Sequence, residues 1–208
     1  MRIIAQELAE AGIVIPEENA AVVKRVIHAT ADFDFAGNLV FTDGAVCRAQ
    51  NALAAHKPIV TDTNMALSGV SRPSLEKLGC TAYCFMADPA VAEQAKAQGT
   101  TRAVAAVGLA AERYPNAVMA VGNAPTALFE LADRIEKGLR PALVVAVPVG
   151  FVNVVEGKER IWDVCVNYNV PAIVAKGRKG GSTVAAAVLN ALLYSAAGTL
   201  DPKARGWN

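Results

Sequence analysis

Apolar residues recur along this chain in two spacings, and the alternation between them carries most of the fold. Short runs apolar at nearly every position occur at Pro58–Thr61, Thr81–Phe85, Ala117–Val121, Ala142–Val147 and Pro171–Ala175. Runs this short, rich in Val and apolar on both faces, predict buried strands of a parallel sheet. Between and after them the spacing becomes helical, over about Asp88–Ala97, Arg102–Arg113, Thr126–Lys137, Glu156–Tyr168 and Ser182–Ala197. Two more helices precede the first strand. One covers about Glu17–Ala31 with Ala21, Val22, Val26 and Ile27 on its apolar stripe, and the other about Gly44–His56. Strands alternating with helices predict an α/β fold, three-layer α/β/α with a mostly parallel central sheet of about five strands. No repeat, low-complexity tract or linker interrupts the pattern, so residues 1–208 read as one domain.

In such sheets ligands bind beyond the C-terminal ends of the strands, and that edge can be populated from the sequence. The run Val118–Val121 stops at Gly122-Asn123-Ala124, and a helix opens at Pro125-Thr126. Gly allows the tight turn, Asn can cap, and Pro suits a first helical position where its missing N–H is no loss. The turn is expected to present free amides and a partial positive charge to an anion. A second turn of this kind, Lys176-Gly177-Arg178-Lys179-Gly180-Gly181-Ser182, follows the strand at Ala172–Ala175. Thr101-Arg102 opens a third helix with a guanidinium suited to a carboxylate or phosphate. Several anion-seeking helix starts on one edge predict a ligand with several negative groups.

Composition narrows the ligand further. Formal charge is only +1, which argues against a nucleic-acid or membrane-surface partner. No apolar run approaches the ~20 residues of a membrane span, and the first residues do not read as a signal peptide. The turns lack the Walker and GxGxxG patterns, so no nucleotide cofactor is expected. The only histidines, His28 and His56, have no metal-ligand spacing, and no metal is expected. Cys47, Cys80, Cys84 and Cys165 show no CxxC spacing and read as reduced thiols of a cytoplasmic protein.

His28 is the candidate for proton chemistry near neutral pH. Arg25 precedes it by one helical turn, so both side chains can face one ligand. A histidine near a helix C-terminus is equally explained as a charge on the helix dipole, which is how His56 reads. Asp32 and Asp34 follow closely, either as a solvated loop or as partners of His28.

Five ordered segments go beyond generic chemistry. They are Arg25-Val26-Ile27-His28-Ala29; Thr61-Asp62-Thr63 with Met65 and Gly69; Gly122-Asn123-Ala124-Pro125-Thr126-Ala127-Leu128; Pro148-Val149-Gly150-Phe151-Val152; and Gly177-Arg178-Lys179-Gly180-Gly181-Ser182. On these the chain resembles the precorrin-8X methylmutase (cobalt-precorrin-8 methylmutase) family of cobalamin biosynthesis, over nearly its whole length. The resemblance implies a homodimer that shifts a methyl group from C-11 to C-12 of a tetrapyrrole-derived polycarboxylate macrocycle, giving hydrogenobyrinate or cobyrinate. It places the catalytic histidine on His28 and substrate-contacting arginines on Arg25 and Arg102. With the anion-seeking turns it points to Thr101, Gly122, Asn123, Ala124, Thr126, Gly177, Arg178, Gly180, Gly181 and Ser182 as further substrate contacts. No cofactor is implied. A corrin precursor, an apolar ring bearing many carboxylates, is what the predicted edge would suit.

Two departures accompany the resemblance. The family usually carries about fifteen further residues before the position of Arg2, with a Tyr and a Ser near the substrate, and weaker binding is expected without them. Its frequent Glu-Ser-Lys is Glu156-Gly157-Lys158 here. A non-catalytic corrinoid carrier would use the same anion sites without needing His28. The small residues of Thr183–Ala197 suit close packing, either on a second copy or in the chain's own core.

Overall fold

A computed structural model describes residues 1–205. In chain order its elements are α1 (Arg2–Glu10), α2 (Glu17–Thr30), α3 (Phe35–Asn38), β1 (Leu39–Phe41), α4 (Ala45–Ala54), β2 (Ile59–Thr61), α5 (Asn64–Gly69), α6 (Arg72–Leu78) and β3 (Ala82–Tyr83). They continue through α7 (Pro89–Ala97), α8 (Arg102–Arg113), β4 (Val118–Val121), α9 (Pro125–Glu136), β5 (Leu143–Ala146), α10 (Val154–Asn167), β6 (Ala172–Ala175) and α11 (Ser182–Ala196). A short 3-10 turn covers Pro202–Arg205.

The five expected strands are all present, in a sheet of six ordered β1-β6-β5-β4-β2-β3. The sixth is β1, an edge strand antiparallel to β6, while all other neighbours are parallel. At three residues β1 is too short to show a period, so the sheet is larger than expected. The same reason hides α3, α5 and α6, each seven residues or fewer. The edge strand expected over Thr81–Phe85 pairs only at Ala82 and Tyr83.

Side chains alternate between two cores, as the pleat requires. From β4, β5 and β6, Val118, Ala120, Leu143, Val145, Ile173 and Ala175 point into a layer built from α2, α4 and α11. Met119, Val121, Val144, Ala146, Ala172 and Val174 point into a layer of α7, α8, α9 and α10. Strands buried on both faces cannot alternate polar with apolar, which is why they read as continuous apolar runs. The small-residue helix is now assigned: Ala185, Ala186, Ala187 and Ala191 of α11 are buried within the chain, against α2, α4 and α5. These four alanines let helices approach closely inside one copy, so they do not offer a face to a second.

Topology then singles out two crevices. After β2 the chain leaves through α5 and α6 to β3, then crosses by α7 and α8 to β4 on the other side of β2. Neighbouring strands whose connections depart to opposite faces leave a gap at their C-terminal ends. One gap lies between β2 and β4, bordered by Asp62 and Gly122, and the other between β5 and β6, where α10 and α11 leave to opposite faces beside the Gly177–Ser182 turn. No helix of the described residues is long and apolar enough to cross a membrane.

Candidate functional site

At the first crevice, the β2 turn meets the β4 turn through a carboxylate. Asp62 is buried, and one of its oxygens accepts the amide of Gly122 at 2.8 Å. The other accepts the amides of Asn123 at 2.8 Å and Ala124 at 2.9 Å. Burial pushes this carboxyl above its ordinary range, against the three amides, which pull it down. The expectation of free amides at Gly122, Asn123 and Ala124 is therefore corrected: an internal acid fills that anion site. What remains for a ligand there is the exposed side chain of Asn123, with Thr126 beside it.

The second turn is built differently. Gly177, Gly180 and Gly181 take φ of +73°, +158° and +128°, a region that only glycine enters readily. A Cβ on Gly180 would lie 2.1 Å from the carbonyl oxygen of Val147, so backbone approach also demands glycine there. Among the described residues nothing accepts the amides of Gly177, Arg178, Lys179 or Gly180, and the first turn of α11 adds its own free amides. Among the described residues no carboxylate plays the part that Asp62 plays next door. Beneath the turn, the fully buried Lys158 donates from Nζ to the carbonyls of Gly177 and Lys179, both at 2.8 Å. Burial pulls its pKa down to about 8. The turn thus combines vacant donors with positive charge, the arrangement that receives an anion.

The two turns touch. A Cβ at Gly122 would come within 2.9 Å of the Ser182 backbone, and the Ser182 hydroxyl shares a 2.8 Å hydrogen bond with Thr63. Thr101 caps α8 by accepting the Val104 amide and shares a 3.2 Å hydrogen bond with Thr126, bringing the α8 and α9 starts together. Arg102, exposed at the start of α8, has no partner among the described residues. Arg178 lies over the ring of Phe151, which is 84% exposed beside the exposed Val149 and Val152. Apolar surface and cations therefore share this edge.

Arg25 and His28 occupy a separate cavity of about 600 Å³ with Ser71, Ser74, Lys77 and Tyr194. His28 is exposed near the end of α2, and the Arg25 guanidinium stacks over Tyr194 at 5.3 Å. The structure brings these two together as their one-turn spacing predicts. No described contact joins them directly to Thr101, Arg102 or Asn123. One link to the second turn exists: Lys179 pairs with Asp32 at 2.7 Å and Asp34 at 2.6 Å, tying the α2–α3 connection to it. Those acids are engaged with Lys179 rather than with His28, and the lysine holds the Asp32 carboxyl below its ordinary range. His56 follows α4 in the left-handed conformation with its ring against the Leu78 carbonyl, so its role is structural but it caps the end of α6 rather than that of its own helix.

Sequence reasoning gave no role to Asp62 or Lys158. Asp62 carried a signal, an acid immediately after a strand at the crossover. Lys158 also carried one, since it falls on the apolar stripe of Val154, Ile161, Val164 and Cys165, where a charge is buried and needs a reason.

Comparison with known proteins completes the picture. The precorrin-8X methylmutase family model matches residues 1–195. A cobalt-precorrin-8 methylmutase of Salmonella typhimurium is 47% identical over 175 residues, covering 84% of this chain and 80% of the relative. A precorrin-8X methylmutase of a Sinorhizobium species is 38% identical over 177 residues, covering 85% and 83%. Among solved structures, the precorrin-8X methylmutase of Thermus thermophilus superposes with a TM-score of 0.84 at 40% identity, covering 95% of this chain and 94% of that one. The chain belongs to the precorrin-8X methylmutase family, the methyl-shifting isomerases of cobalamin biosynthesis.

Proposed function

We propose that the chain moves a methyl group from C-11 to C-12 of precorrin-8X or cobalt-precorrin-8, giving hydrogenobyrinate or cobyrinate. The observation that carries this reading is the shared cavity of His28 and Arg25, an acid beside a carboxylate-binding cation. In a 1,5-sigmatropic shift the bond to C-11 breaks as the bond to C-12 forms. An isomerisation has no net oxidant or proton demand, so the proton that His28 lends to the conjugated ring returns once the methyl has moved. Protonation lowers the barrier because the ring becomes electron-poor where the methyl migrates, and general acid catalysis of this kind gives ~10²–10⁴-fold. Holding the macrocycle in a reactive conformation supplies more.

Carboxylates around the ring are the handles. Arg25 and Arg102 bind two of them, with Lys77 beside Arg25. The Gly177–Ser182 turn receives another on its vacant amides, assisted by Arg178, while Thr101, Asn123 and Thr126 offer polar side chains. Val149, Phe151 and Val152 provide apolar surface for the ring itself. Two separate groups of contacts on one large ligand favour a homodimer with the site near its interface, where a second copy closes the open side. All four cysteines are free thiols, which supports a cytoplasmic setting.

The test is His28→Asn, which keeps size and polarity and removes the acid. The variant is expected to bind hydrogenobyrinate as the wild type does while kcat falls roughly 10²-fold or more. Near-normal turnover would end the assignment.

A further inference from the structure

Two charged side chains, Asp62 and Lys158, are buried among the described residues without a part in the proposed reaction; Asp62 holds the amides of the Gly122 turn, which leaves Lys158 to be explained. It is fully buried on α10 and forms no ion pair among the described residues. The acids nearest the same turn, Asp32 and Asp34, are taken by Lys179. Burying an ammonium against two neutral carbonyls is expensive compared with a methionine of similar length. Serving those two carbonyls offsets part of that cost, but a neutral donor would serve them without burying a charge, so fold stability alone does not call for an ammonium here.

The turn above it supplies the reason. Its glycine conformations bring the carbonyls of Gly177 and Lys179 onto the Lys158 ammonium, and the amides of the same segment remain without acceptors. The neighbouring turn at Gly122–Ala124 makes the contrast: its amides are already satisfied by Asp62, and among the described residues no buried cation lies against it. A buried cation accompanies the turn whose donors are vacant. A pKa near 8 leaves the amine charged at neutral pH.

The geometry points to Lys158 as a positioning residue for carboxylate recognition, setting the Gly177–Gly181 turn from beneath so that its free amides receive a substrate carboxylate. The inference rests on the proposed reading of that turn as a substrate contact. Lys158 itself reaches only backbone, so its effect is on binding of a peripheral carboxylate and not on the migrating methyl group.

Full-length Lys158→Met tests this, with hydrogenobyrinate and its fully esterified form as probes. The variant is expected to keep its circular dichroism, to bind the acid about tenfold or more weaker, and to raise KM by a similar factor with kcat within about threefold. For the ester, which lacks the carboxylates, wild type and variant should bind alike. A residue serving only the fold would lower the melting temperature without this acid-specific loss. Should the methionine variant not fold, Lys158→Gln, which keeps a donor and loses the charge, gives the same readout. Failure of both to fold would make Lys158 a residue of the core and overturn the positioning role. Acid affinity within twofold of wild type would overturn it too. Arg178→Ala then shows what has failed: if it weakens acid binding the turn is still a carboxylate site, and if it does not the reading of the turn falls with the lysine.

Discussion

Replacing Asp62 by Asn gives the sharpest test of how the strand-end crevice is built. The native carboxylate offers two oxygens to three amides, at 2.8, 2.8 and 2.9 Å. An asparagine keeps one oxygen and turns the other into a second donor. In its better orientation the oxygen serves Asn123 and Ala124, and the Gly122 amide then faces an NH2 group with no acceptor. A buried unsatisfied donor costs about 1–3 kcal/mol, and losing the charge on the other two bonds costs about 1 kcal/mol each. Against this, the neutral side chain no longer bears the desolvation that pushes the native carboxyl up. The balance is a loss of about 2–4 kcal/mol. Urea unfolding at neutral pH should read it as a midpoint lowered by about 1 M or more, given slopes of ~1–3 kcal/mol/M. Because Gly122 packs on the Ser182 backbone, product affinity should fall as well. A change in stability below about 0.5 kcal/mol would refute the reasoning, since burial would then cancel everything the three amides contribute.

Arg25→Ala and Arg102→Ala should each weaken hydrogenobyrinate binding by about 10–150-fold in titration, the worth of one charge-assisted contact. The exposed Arg102 should show the steeper salt dependence, and unchanged affinity in both variants would remove the role. Gly180→Ala forces a Cβ within 2.1 Å of the Val147 carbonyl oxygen at a φ of +158°; calorimetry should show a loss of at least ~2 kcal/mol, or about 5 °C in Tm. Burial holds the amine of Lys158 at a folded pKa of about 8, below the ordinary lysine value of 10.5. Between those values the unfolded chain holds a proton that the folded chain has released, so this group adds stability as pH rises through about 8 to 10.5, by up to ~3 kcal/mol. The unfolding free energy of wild type minus that of Lys158→Met should rise over that window, and a flat difference would count against the burial. Light scattering should give about twice the 21.7 kDa chain mass, and ~22 kDa at micromolar concentration would exclude the dimer.

How far the sequence reached depended on the range of the interaction involved. Spacing alone located β2, β4, β5 and β6, because a strand buried on both faces must be apolar throughout and a covering helix must repeat every three or four residues. It paired Arg25 with His28, since one helical turn is a local geometry. It also marked the Gly177–Ser182 turn, whose glycines answer to their own φ values and to close backbone approach. β1, α5 and α6 stayed hidden, being shorter than the period that would reveal them. Only the tertiary structure could decide which of two similar helix starts is open to a ligand. Asp62 lies sixty residues before Gly122, and Lys158 nineteen before Gly177. The same distance in sequence kept apart the two destinies of the alanines in α11, a neighbouring copy or the chain's own core. Amide donors and small side chains state what they can bind, and which groups reach them is settled by residues far along the chain, when the sheet brings its strand ends together.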